Sequence, residues 1–168
     1  MSPARLSRGL VAPVAALRTV PGSRLPVEAM VPADGYFVSG SRIEDGSPIA
    51  VDLLLESAHE GIVVSGTVRA HWVGECRRCL EGAEGDLDLQ IRELCVEGAD
   101  DETTYPIRND EIDLGEIVHD ACILDLPLAP LCRDDCQGLC PECGANLNVE
   151  ACPHAKERSR FDLIEGGS

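Results

Sequence analysis

The sequence predicts an α+β fold: an antiparallel β-meander with one main helix and a C-terminal cysteine-rich zinc knuckle. Three observations predict it. Three long stretches rich in Val, Ile and Leu lie between Pro48 and Val96 with short connections. One stretch of helical periodicity follows, from Leu114 to Leu124. Four cysteines, Cys132, Cys136, Cys140 and Cys143, then crowd the segment Leu131–Asn148. The expected organisation is a flexible basic N-terminal arm over residues 1–34, sheet plus helix over 35–130, a zinc-knuckle segment over 131–154 and a charged tail over 155–168.

The 168 residues suffice for one domain with a single core. Aromatics make up only 3% of the chain, so that core must be aliphatic. Net charge is −16 and uneven: Arg5, Arg8, Arg18 and Arg24 lie in the first 27 residues, where there is no acid. The rest therefore carries a balance of −20, which repels phosphate backbones at long range. Nucleic-acid contact must then be local or made through a partner protein. The arm reads as weakly structured, since four arginines without interleaved aromatics do not make an RNA tether. Its apolar run Leu10–Leu17 is broken by Pro13 and followed at once by Arg18, which argues against an export signal. No apolar run approaches the ~20 residues of a membrane span. A reducing cytoplasm is the expected location, and there clustered thiols mean metal or redox chemistry more often than disulfides.

The β pattern begins near Tyr36. Pro48–Ser57 is the first long strand, ending at the turn His59-Glu60-Gly61. Ile62–Val73 is the second, with Ile62, Val64, Val68, Ala70 and Trp72 on one face. Asp86–Val96 is the third, with Leu87, Leu89 and Ile91 alternating against Asp86, Asp88, Gln90 and Arg92. Short connections make the three an antiparallel meander with one buried and one wet face. A polar loop, Gly98–Thr104, and a short extended piece, Tyr105–Arg108, come next. Asp113 then reads as a helix N-cap with Glu116 three residues on, and Leu114, Ile117, Val118, Ala121 and Leu124 form the apolar stripe. Pro127 ends the helix. Cys122 is expected as a packed core thiol and His119 as a surface residue.

Four thiolates within twelve residues can converge on one tetrahedral zinc, and Pro141 and Gly144 supply the tight turn that aims Cys140 and Cys143. Iron is the alternative ion. The compact set Cys132, Cys136, Cys140 and Cys143 is the expected ligand group, with Cys152, His154, Cys76 and Cys79 as substitutes. Cys76 and Cys79 flank Arg77 and Arg78 at the end of the second-to-third strand hairpin. Three readings of that pair stand side by side: half a zinc site, a redox pair, or a rigid loop whose arginines touch phosphate. A redox pair belongs at a helix N-terminus rather than a hairpin, so neither thiol is expected to titrate far below the ordinary ~8.5. No catalytic residue is expected, because no His/Asp/Glu constellation accompanies the cysteines in sequence.

The strings VSGTVRAHWVGECRRCL and DLGEIVHDACILDLPLAPLCRDDCQGLCPECGANLN together resemble the bacterial YceD family. The resemblance runs from about Pro48 to Asn148. It implies a non-enzymatic ribosome-biogenesis factor needed for accumulation of large-subunit ribosomal RNA, encoded in many genomes beside a large-subunit ribosomal protein. Cys76 and Cys79 match the family's first C-x-x-C, and Cys132, Cys136, Cys140 and Cys143 match the C-terminal cluster of some branches. Cys122 and Asp125 depart from the aliphatic and small residues usual in that helix. The implied partners are large-subunit ribosomal RNA, with Arg77 and Arg78 as candidate contacts, and/or a basic ribosomal protein; neither a membrane nor a small-molecule substrate is implied. An interaction module with partners outside the ribosome, or a thiol-redox or metal-dependent enzyme, is the alternative.

Overall fold

The computed structural model describes residues 9–99 and 104–154. Its backbone is a six-stranded, mostly antiparallel sheet covered on one face by a helix, an α+β arrangement. The central strands are β4 (Pro48–Ser57), β5 (Ile62–Glu75) and β6 (Gly82–Glu97), paired antiparallel in sequence order as a meander. The register sets Val51 against Val68 and Leu55 against Val64, so aliphatic side chains of adjacent strands meet on the same face. Ile49, Val51, Leu53, Leu55, Val64, Val68, Leu87 and Leu89 are buried there, while Asp52, Arg69, Asp86, Asp88 and Gln90 face outward. Period-two burial of this kind is what one covered face and one wet face require.

Helix α2 (Leu114–Asp125) covers the sheet, packing against β6. Asp113 caps it as expected, its side chain accepting the Glu116 amide at 3.2 Å. Leu114, Ile117, Val118 and Cys122 are buried. Leu124, expected in the stripe, is exposed instead, because Ile117, Val118 and Cys122 already fill the interface. Cys122 is fully buried as a core thiol, and Asp125 lies outside on the exposed side. His119 is partly exposed and stacks at a tilt on Tyr36, with ring centroids 4.8 Å apart.

Residues 9–34 are not the flexible arm the composition suggested. They form β1 (Val11–Pro13), the short helix α1 (Ala15–Thr19) and β2 (Arg24–Pro32). Strand β2 lies along β4 over nine residue pairs and makes one edge of the large sheet. Strand β1 pairs with β8 (Glu111–Asp113), and the Leu10 carbonyl accepts the Leu114 and Gly115 amides, two donors that the start of a helix leaves without partners. The reason is in the apolar run itself: Leu10, Ala12, Val14 and Leu17 are all buried in the main core. Arg18 is paired with Asp110 and Glu97, and Arg24 with Glu56, so neither serves as a loose basic tether. Arg5 and Arg8, and the expected tail over 155–168, lie outside the described residues. At the other edge β7 (Tyr105–Ile107) runs parallel to β6, and β3 (Ser41–Arg42) pairs with the distal end of β5.

Two details position the site. Strands β5 and β6 overshoot β4: β4 pairs with β5 only as far as Arg69, while β5 and β6 stay paired out to Glu75 and Gly82, where the hairpin tip, residues 76–81, joins them. After α2 the chain returns along that overhang. Ser41 Oγ donates to the Pro127 carbonyl at 2.8 Å, and the Arg77 amide to the Pro130 carbonyl at 3.0 Å. Gly40 allows the approach, since a Cβ there would sit 2.3 Å from the Leu128 carbonyl oxygen. The segment beginning at Leu131 is thereby laid against the hairpin tip.

Candidate metal centres at two cysteine turns

Seven of the nine cysteines and one histidine fall into two groups, each with its donor atoms all within 4.8 Å of one another. The first is Cys76, Cys79, Cys132 and Cys136; the second is Cys140, Cys143, Cys152 and His154. The compact set expected from sequence is thus divided. Cys132 and Cys136 converge with the hairpin pair, and Cys140 and Cys143 with Cys152 and His154 near the end of the described chain. Sequence proximity misleads here because the chain stays on the hairpin tip as far as Leu139, whose amide donates to the Arg78 carbonyl at 3.0 Å, and Cys140 then opens a turn of its own, its amide donating to the Ala145 carbonyl at 2.8 Å.

In the first group Cys76 Sγ lies 3.7 Å from Cys136 Sγ, and Cys79 Sγ lies 3.6 Å from Cys132 Sγ. A tetrahedron with metal–sulfur arms of ~2.3 Å has edges of about 3.8 Å, so these separations suit four sulfurs around one ion. Cys76, Cys79 and Cys136 are buried, and Ala83, Trp72, Leu131 and Leu139 pack around them. This small apolar shell joins the main core through Trp72, which packs against both.

Electrostatics at the group is that of a thiolate nest. Burial works against the Cys76 thiolate, but backbone N–H groups of Cys132, Cys79 and Arg78 donate to its sulfur and bring the thiol down to about 6. That differs from the ordinary titration expected of the hairpin pair, and its cause is the turn's amides rather than a helix N-terminus. Cys132 moves the opposite way, to about 12, through burial and the neighbouring sulfurs of Cys79, Cys136 and Cys76. Cys136 is lowered despite burial by Asn148, whose Nδ2 donates to its sulfur at 3.3 Å, and by the Gly138 amide. Four sulfurs this close repel one another as thiolates, and a cation bound among them would offset that repulsion. Cys95 and Cys122 contrast with them: burial pushes these core thiols up to about 12 and about 11. They behave as small hydrophobes.

The arginines between the hairpin cysteines have different surroundings. Arg78 Nη1 donates to the Cys136 carbonyl at 3.0 Å and to the Asp134 carbonyl at 3.3 Å, bracing the loop that carries Cys132 and Cys136. Arg77 is exposed. A third arginine, Arg133, is held by Asn148 and Asp135. Asn148 was missed in the sequence. It accepts from Arg133 and from the Gln137 amide and donates to Cys136, which ties the far end of the segment to the first group.

Both cysteine blocks fall inside a match to a family model. Residues 64–165 match the family described as large ribosomal RNA subunit accumulation protein YceD. The chain belongs to the YceD family. Among relatives, an uncharacterized protein of Mycobacterium tuberculosis is 43% identical over 115 residues, 64% of this chain and 56% of the relative. An uncharacterized protein of Mycobacterium leprae is 36% identical over 145 residues, 82% of this chain and 62% of the relative. The chloroplastic YCED homolog 1 of Zea mays, named a large ribosomal RNA subunit accumulation protein, is 37% identical over 76 residues, covering 45% and 23% of the two chains. The chain thus spans little more than half the length of the mycobacterial relatives it matches. No solved structure matches it. No helix among the described residues is long and apolar enough to cross a membrane.

Proposed function

We propose that this chain is a non-enzymatic factor that supports accumulation of large-subunit ribosomal RNA and acts in the cytoplasm by binding a component of the assembling subunit. The observation that carries the reading is the family match over residues 64–165, which includes both cysteine turns. In this reading Cys76, Cys79, Cys132 and Cys136 hold one structural zinc. Four protein ligands close such a site and leave no position for a reacting water. The ion would fasten residues 131–136 to the hairpin tip and fix the surface around Arg77.

Charge favours a basic ribosomal protein as the direct partner. The wet sheet face carries Glu28, Asp52, Glu84, Asp86 and Asp88, and opposite net charges steer encounter. A second reading, direct RNA contact at the hairpin tip, is favoured by the exposure of Arg77 and Arg78 beside a braced loop. Arg78 is already engaged with the Cys136 and Asp134 carbonyls, so Arg77 is the better phosphate contact of the two.

Depletion of the protein in cells, with large-subunit ribosomal RNA measured against small-subunit RNA, tests the role. The large-subunit RNA should fall selectively; unchanged levels would leave only an interaction module with partners elsewhere. Crosslinking then separates the two partners. Recovery of a basic ribosomal protein independent of Arg77 supports the first reading. RNA crosslinks that vanish in Arg77→Ala support the second.

A further inference from the structure

We propose that Cys140, Cys143, Cys152 and His154 bind a second zinc ion of their own, so that the chain carries two structural zinc sites built on two copies of one turn. The inference goes beyond the ribosomal reading and does not rest on it.

The turns match bond for bond. In the hairpin tip the Cys76 amide donates to the Glu81 carbonyl at 2.8 Å, and the Leu80 amide returns to the Cys76 carbonyl at 2.9 Å. In the C-terminal segment the Cys140 amide donates to the Ala145 carbonyl at 2.8 Å, and the Gly144 amide returns to the Cys140 carbonyl at 2.8 Å. In both, the residue after the second cysteine is left-handed, Leu80 at φ +63° and Gly144 at φ +73°. The first sulfur of each turn accepts backbone N–H groups from the two residues that end its C-x-x-C: Arg78 and Cys79 for Cys76, Glu142 and Cys143 for Cys140. Each turn also caps a pair of extended strands. The first closes β5 and β6; the second closes a miniature hairpin in which Leu139 bridges to Asn146 and the Leu147 amide reaches the Gly138 carbonyl. Amides aimed at a sulfur in this way pre-arrange a C-x-x-C pair to chelate one ion, with two further ligands supplied from elsewhere.

Those ligands differ between the sites. The first turn recruits Cys132 and Cys136 across the fold, while the second recruits Cys152 and His154 from the chain just beyond it. The result is a group of four cysteines beside a group of three cysteines and one histidine, both common tetrahedral sets for structural zinc. The second segment also has little else to hold it. Between residues 138 and 154 the buried side chains are those of Cys140 and Cys152, themselves ligands. Cys143 and His154 are exposed, whereas three of the four cysteines of the first group are buried. The second ion is therefore the one a soluble chelator reaches first.

Native mass spectrometry of the full chain, purified with zinc present, tests this directly. Wild type should hold two zinc ions, and the double variant Cys152→Ser/His154→Ala should hold one. A zinc-binding dye should draw one ion from wild type in a fast phase that the double variant lacks. Because Cys143, Cys152 and His154 lie outside both cores, the variant should keep the far-UV circular dichroism of its sheet. Cobalt loading gives an independent readout: the difference spectrum between wild type and variant should be that of a three-sulfur, one-nitrogen site. A single zinc in wild type overturns the proposal, and so does a double variant that still holds two. Ribosomal RNA plays no part in these measurements, so their failure leaves the ribosomal reading standing.

Discussion

The body of the molecule and its C-terminal segment are held together by different physics. Residues 9–126 share one continuous core of aliphatic side chains from the sheet, α2 and the N-terminal strand and helix. Residues 131–154 contain no strand or helix among the named elements, and the side chains they bury are those of Cys136, Cys140 and Cys152. The body can be folded by area removed from water, at roughly 25 cal/mol per Å² of apolar surface. The segment has too few apolar groups for that and depends on ligand bonds, as small metal-stapled modules do. The cysteines themselves show the difference. Cys95 and Cys122 are packed into the body with raised pKa values, while Cys76 and Cys140 have amides aimed at their sulfurs and lie near 6.

Metal removal should break the comparison most completely. Structural zinc in small modules contributes about 10 kcal/mol or more of apparent binding free energy. Chelation should therefore abolish hydrogen-exchange protection over 131–154 while the amides of β4, β5 and β6 keep theirs. Loss of protection across the whole sheet would show that body and segment fold as one unit. The converse experiment is Leu55→Ala, a fully buried side chain on the covered face of β4. It should cost about 2–5 kcal/mol of body stability, read as a lower denaturant midpoint, with metal content unchanged.

The turns allow a finer test. Leu80 is exposed yet held at φ +63°, a conformation that costs an L-residue with a Cβ roughly 1–2 kcal/mol. Leu80→Gly should relieve part of that, raising stability by up to about 1 kcal/mol, and Gly144→Ala should lower the hold on metal at its turn by about as much. The added Cβ at Gly144 meets no atom within 4 Å, so any effect is backbone strain alone. Thermal melts and dye competition on the two variants measure the pair.

The smallest expected effect belongs to the wet face of the sheet. His71 is raised above its ordinary 6.5 by its hydrogen bond to Asp86, against burial, with the charges of Asp86 and Glu84 adding to the rise. A raised folded-state value means the interaction is fully present below about pH 6.5 and is lost as pH rises through the folded value. The melting temperature should therefore lose a small increment on going from pH 6 to pH 8, and His71→Gln should remove that increment. An unchanged pH profile in the variant would show that the pair contributes nothing measurable, as is common for exposed ion pairs.

Much of this fold was legible because its causes are local. Alternation along Pro48–Ser57, Ile62–Val73 and Asp86–Val96 encodes strands whatever lies around them, and Asp113 with Glu116 encodes a helix start within one turn. The N-terminal run was misread for the complementary reason. Leu10–Leu17 is too short and Pro-broken to specify an element by itself, and it is ordered by β8 and the core it joins. Hence the sequence by itself determined the meander, the capped helix and the presence of two C-x-x-C turns, since periodicity and turn chemistry act over a few residues. Only the tertiary structure decided which sulfurs meet. Cys76 and Cys136 are 60 residues apart and come within 3.7 Å, while the nearer pair Cys136 and Cys140 part company. That grouping follows from the overshoot of β5 and β6 and the return of the chain through Pro127–Pro130. Long-range contacts of this kind have no period to read, because they depend on where whole elements end up in space.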